Sequence, residues 1–101
     1  MTNAITLANV LDERGGAIPT NQHDIVTGST VAGMALPATP DSTCANWTSA
    51  TTGTAQVGHF NRAGGGTIPT SWNSAHATPD CTQAAIIRVA GAARTYCFAI
   101  D

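Results

Sequence analysis

The chain has 101 residues, of which 43% are hydrophobic and 10% charged, so it has room for one modest core and not for a multidomain enzyme. It contains no lysine, four arginines and a formal net charge of -2, which removes the cation density that nucleic acid and anionic lipid require. Eighteen alanines and 16 threonines stand where charged residues usually would, giving a surface of hydroxyls, amides and backbone.

In chain order, the first ten residues carry no Lys or Arg, and Asp12, Glu13 and Arg14 interrupt any apolar run, so no export signal is read here. No apolar stretch approaches the ~18 residues of a membrane span. Runs with β-branched or aromatic residues at near-alternate positions predict strands at 5–11, 24–27, 56–60 and 95–100. Between them glycines and prolines are dense, which leaves little space for long helices. The segment 42–49, with Cys44 three residues before Trp47, reads as a strand that buries its tryptophan beside a disulfide. Residues 81–93 fit either a short helix or a buried strand, limited by Gly91. Two phrases recur: Gly15-Gly16-Ala17-Ile18-Pro19-Thr20 is echoed at 65–70, and Ala38-Thr39-Pro40-Asp41 at 77–80. Their spacings, 50 and 39 residues, disagree, so the echoes are read as turn chemistry used twice and not as a tandem repeat.

Three cysteines, Cys44, Cys81 and Cys97, allow three single-bridge pairings, each leaving one thiol over. Their intervals are too long for a zinc knuckle, and a disulfide in an oxidising compartment suits a chain this short better than three reduced thiols. His23, His59 and His76 are widely separated and none pairs at i,i+4, so their spacing predicts no metal site; His23-Asp24 is the one adjacent imidazole–carboxylate couple. Asp41 and Asp80 stand alone, which excludes a clustered calcium loop. No nucleophile elbow, paired carboxylates or phosphate loop is present, so no cofactor is expected and the chain reads as non-enzymatic. The chemically richest stretches are 56–62 and 71–76. There His59, Asn61, Arg62, Trp72, Asn73 and His76 are the ligand-binding candidates, since amides, imidazoles, guanidinium and indole grip sugars or peptide backbone. The same groups can equally tie down loop backbone, with Trp72 packed inward.

Six ordered blocks carry a family resemblance: Thr27-Gly28-Ser29; 43–49; Gly53 with Val57-Gly58-His59; 71–76; Cys81-Thr82-Gln83; and 94–99. The chain resembles a family of bacterial secreted lectin-like proteins, similar to the endostatin branch of the C-type lectin-like fold. The resemblance implies an α+β, mostly antiparallel, loop-rich domain over residues 1–101. It would be the C-terminal portion of a longer domain, lacking its N-terminal helical half. It implies a Cys44–Cys81 disulfide and leaves Cys97 unpaired, or paired with a partner chain supplying the missing half. Calcium-dependent sugar binding is not implied, because Trp72-Asn73 is followed by Ser74 where an acid would stand. The expected function is extracellular or cell-surface recognition of a carbohydrate or protein ligand through the long loops. The alternatives are a structural component of an envelope or particle surface and, more remotely, a hydrolase with an unrecognised site.

Overall fold

β-Branched and aromatic residues at near-alternate positions in 24–27 and 56–60 favour extended backbone, and both segments become strands: β1, Asp24–Val26, and β2, Gln56–His59. Two further strands complete the sheet, β3 at His76–Ala77 and β4 at Gly91–Arg94. The order is β3-β2-β1-β4, with β1–β2 and β2–β3 antiparallel and β1–β4 parallel. The structure is a computed structural model and describes Ile5 and residues 9–98. With two short helical segments around a mixed four-stranded sheet, the described chain is of α+β type.

Successive strand residues face opposite sides of a sheet, and β1 shows the consequence. Ile25 packs with Ile18 and Phe60 in one buried cluster, while Val26 packs against Cys44, Ala55 and Cys81 in another. The second cluster is built around a disulfide between Cys44 and Cys81, Cα atoms 5.7 Å apart, as the resemblance implied. Cys97 is free and exposed.

Several expectations are corrected. In the 5–11 run, residues 6–8 lie outside the described residues, and Leu11 makes only an isolated bridge with Ala17. The last strand lies earlier than 95–100: Gly91–Arg94 pairs with β1, residues 95–98 have no regular structure, and 99–101 lie outside the described residues. Position 91 suits this pairing because a Cβ there would press on Ile86, so glycine lets β4 approach the preceding helix. The ambiguous 81–93 run is both things in turn, a helix at Gln83–Arg88 and then β4. Thr82 caps the helix by accepting the Ala85 N–H at 3.1 Å, and Ala85 and Ile86 face the interior.

The largest correction concerns 42–49. Cys44 to Trp47 form a left-handed turn, with φ of 49°, 53°, 56° and 66°, and Trp47 is 51% exposed instead of buried. L-residues resist this conformation, so neighbouring groups must hold it. The Asp41 carboxylate accepts the N–H groups of Thr43 and Ala45, the Thr43 hydroxyl accepts that of Asn46, and the disulfide fixes the first residue. Asp80 repeats this chemistry at the other half-cystine by accepting the N–H and hydroxyl of Thr82. The echoed Thr-Pro-Asp phrases are therefore two turns that brace the two ends of one disulfide.

Candidate functional site

Three histidines far apart in sequence converge on one carboxylate. Asp24 opens β1 and is the register partner of His59 on β2, while His76 on β3 pairs with Val57 one strand further. His23 precedes Asp24 and would point away from it in an extended chain. Instead it ends the 3-10 turn Thr20–Gln22 with φ -82° and ψ -13°, which swings its ring to the same side. The result places His23 Nε2 3.2 Å and His59 Nε2 3.1 Å from Asp24 Oδ1, and His76 Nε2 3.3 Å from Oδ2. His23 and His59 stack with centroids 4.2 Å apart, and His76 meets His59 edge-on at 5.0 Å.

The outward nitrogens are all engaged. His23 Nδ1 lies 3.0 Å from Asn61 Oδ1, His59 Nδ1 2.8 Å from the Pro69 carbonyl, and His76 Nδ1 3.1 Å from the Ala77 carbonyl. A carbonyl can only accept, so His59 and His76 carry their proton on Nδ1. The Asn61 amide is oriented by the Ala63 N–H, which donates to Oδ1 at 3.2 Å, and this extends the same assignment to His23. Both Asp24 oxygens and His59 Nε2 are buried and make no well-directed hydrogen bond among the described residues. Burial opposes charge on His59, but the Asp24 carboxylate and the Pro69 carbonyl outweigh it and raise the imidazole pKa. Burial, followed by the nearby His59 charge, lowers that of His23.

The glycine run forms the roof. Gly64 and Gly66 have φ of +115° and +104°, and a Cβ on them would lie 2.5 Å from His23 Cε1 and 2.7 Å from His76 Cδ2. Only glycine allows the loop to close this tightly over two imidazoles.

Compared with known proteins, the chain matches no family model, no curated protein and no solved structure.

Of the six candidates from sequence, His59 and His76 join this cluster directly and Asn61 supports His23. Asn73 turns inward: its amide donates to the Thr30 and Val31 carbonyls, while its Oδ1 accepts from Ser71. Trp72 is 7% exposed, and its carbonyl with Asn73 N lies so close to Gly58 that no Cβ fits there. Arg62 is exposed. Spacing did not reveal His23 and Asp24 as partners of the other two histidines, because their proximity comes from cross-strand register; the adjacent His23-Asp24 couple was the available hint.

A second feature lies on the side of Trp72. A groove of about 320 Å³ is lined by Trp47, Trp72, Tyr96 and Phe98, with Thr27 and Ser29 beside them. The Tyr96 hydroxyl donates to the Trp72 carbonyl at 2.8 Å, and the Trp72, Tyr96 and Phe98 rings lie 5.4–6.0 Å apart. Burial of Tyr96 pushes its phenol pKa well upward, so this hydroxyl stays a donor. A larger cavity of about 820 Å³ runs beside Ile5, Val10, Ile18 and Ile25 and is the open side of the first apolar cluster.

Proposed function

We propose that the chain is a non-enzymatic extracellular recognition module of C-type lectin-like type, taking a carbohydrate in the aromatic groove. The observation that carries this reading is the distribution of aromatic residues. The sequence has five, and Trp47, Trp72, Tyr96 and Phe98 all line this groove, leaving Phe60 to the core. Trp47 and Phe98 remain 51% and 56% exposed on a chain poor in large side chains, where burial would be worth ~1.5–3 kcal/mol each. Sugars present apolar C–H faces that stack on such rings, and the Thr27 and Ser29 oxygens offer acceptors alongside. The strained turn that presents Trp47 supports the same reading, since backbone strain is retained where it places a functional group. The internal disulfide is compatible with an oxidising, extracellular setting, and no described helix is long and apolar enough to cross a membrane.

The test is a glycan array followed by calorimetric titration of the best ligand. Trp47→Ala and Phe98→Ala, both at exposed positions, are expected to abolish binding while the fold persists. Unchanged affinity in the folded double variant would refute the groove as the site. The larger apolar cavity, with Leu11 exposed beside it, favours a second reading, an assembly component that buries this face on another chain. Light scattering separates the two, because a monomer that binds glycan supports the first and an obligate oligomer that binds none supports the second.

A further inference from the structure

Independently of the groove, the geometry points to a metal site: His23, Asp24 and His59, with His76 on the far carboxylate oxygen, bind one divalent transition-metal cation of the zinc class. His23 Nε2, His59 Nε2 and an Asp24 oxygen lie within 4.8 Å of one another. With their protons on Nδ1, the neutral imidazoles aim bare nitrogen lone pairs at a carboxylate that also offers only lone pairs. Such an arrangement is repulsive until a positive charge stands between the groups. A proton on His59 relieves one of the three contacts and leaves His23 and His76 facing the carboxylate uncompensated. A single cation between His23, His59 and Asp24 relieves two of them at once.

The distances agree with that occupant. Metal–nitrogen and metal–oxygen bonds of about 2.0–2.2 Å in a tetrahedron set donor–donor edges near ~3.3–3.5 Å. His23 Nε2 and His59 Nε2 stand 3.2 and 3.1 Å from Asp24 Oδ1, so those two edges need little change. His23 and His59 stack with their planes 14° apart, so the two rings would tilt toward one another to bring both nitrogens onto the ion.

The outer contacts also match what metal-bound histidines use, since each imidazole's remaining N–H is directed at an amide or backbone oxygen. Imidazole nitrogens with one carboxylate favour zinc-class ions, whereas calcium and magnesium demand shells of oxygen. Access remains through the His23 and His76 edges, whose side chains are 13% and 19% exposed, while His59 and Asp24 are closed off. A bound ion would tie β1 to β2 and to the turn that precedes β1.

The test uses the full chain, disulfide intact and stripped with chelator, titrated with Co(II) and then Zn(II). The expected result is visible d–d absorption that saturates at one Co(II) per chain and is displaced by Zn(II), with thermal unfolding raised by Zn(II). Asp24→Asn and His23→Gln should each weaken Co(II) binding tenfold or more. Asn61→Ala, which removes only the support of His23 Nδ1, should weaken it about 10–100-fold. Should Asp24→Asn fail to fold, His23→Gln at the part-exposed edge decides the matter. Gln83→Ala, exposed on the helix, should bind as the unaltered chain does. Absence of d–d absorption in natively folded protein, or unchanged affinity in folded His23→Gln, would overturn the assignment. Either failure leaves the glycan experiments on the groove unaffected.

Discussion

Replacing both half-cystines, Cys44→Ala with Cys81→Ala, should remove a large share of the stability. The bridge spans 37 residues, and the loop-closure relation gives about 3.8 kcal/mol for a loop of that size near 25 °C. A second effect runs the other way. The four residues of the turn at Cys44–Trp47 hold left-handed backbone that costs about 1–2 kcal/mol per residue, and without the tether part of that strain can relax. The relaxation is partial, because Asp41 and Thr43 still accept the Ala45 and Asn46 N–H groups. The expected loss is therefore about 2–4 kcal/mol, or roughly 10–30 °C in Tm for a domain of this size. Urea unfolding of both proteins, followed by far-UV circular dichroism and by tryptophan fluorescence, measures it. A loss below about 1 kcal/mol would refute the view that this bridge holds the chain together. So would three titratable thiols in the unreduced, denatured chain, where one, Cys97, is expected.

The remaining predictions concern the histidine cluster. Gly64→Ala and Gly66→Ala should each cost about 1–3 kcal/mol, because both glycines have positive φ and a Cβ would press on an imidazole. Gly65→Ala between them meets nothing within 4 Å and should stay within about 0.5 kcal/mol; equal effects at all three positions in thermal unfolding would contradict the roof. In metal-free protein, an NMR titration should give His59 a midpoint above the ordinary ~6.5 and His23 one below it. Because the His59 value is raised, its contribution to stability is fully present below the unfolded value and is lost as pH rises through the folded one. His23 has the opposite sign: its lowered value favours the fold at higher pH and withdraws that support as pH falls through the unfolded value toward the folded one. The His23→Gln variant should therefore tolerate acidification better than the unaltered chain, and a steeper acid loss in its urea midpoints would contradict the assignment.

Local patterns carried β1 and β2, because β-branched and aromatic residues are concentrated in 24–27 and 56–60; both strands are covered on their two faces and show no half-buried alternation. They failed at 42–49, where Cys44 and Trp47 suggested a buried strand. There the backbone is governed by hydrogen bonds from Asp41 and Thr43 that override local preference. The last strand was displaced for a related reason: Gly91–Arg94 owes its place to pairing with β1 and close contact with Ile86, not to its own side chains. The candidate stretches 56–62 and 71–76 did supply His59, Asn61 and His76. Their convergence on Asp24 depends on strand register and on one 3-10 turn, neither of which spacing along the chain encodes. The role of Gly64 and Gly66 as a cover over two imidazoles came only with the fold.

The protonation of the three imidazoles, read by long-range proton–nitrogen NMR at pH 8 on chelator-stripped protein, tests the site most directly. His23, His59 and His76 should each carry a proton on Nδ1 and a bare Nε2. One equivalent of Zn(II) should then shift the Nε2 resonances of His23 and His59 and leave their Nδ1 protons in place. A proton on Nε2 of His23 or His59 before metal is added, or Nε2 resonances that Zn(II) does not move, would contradict the site.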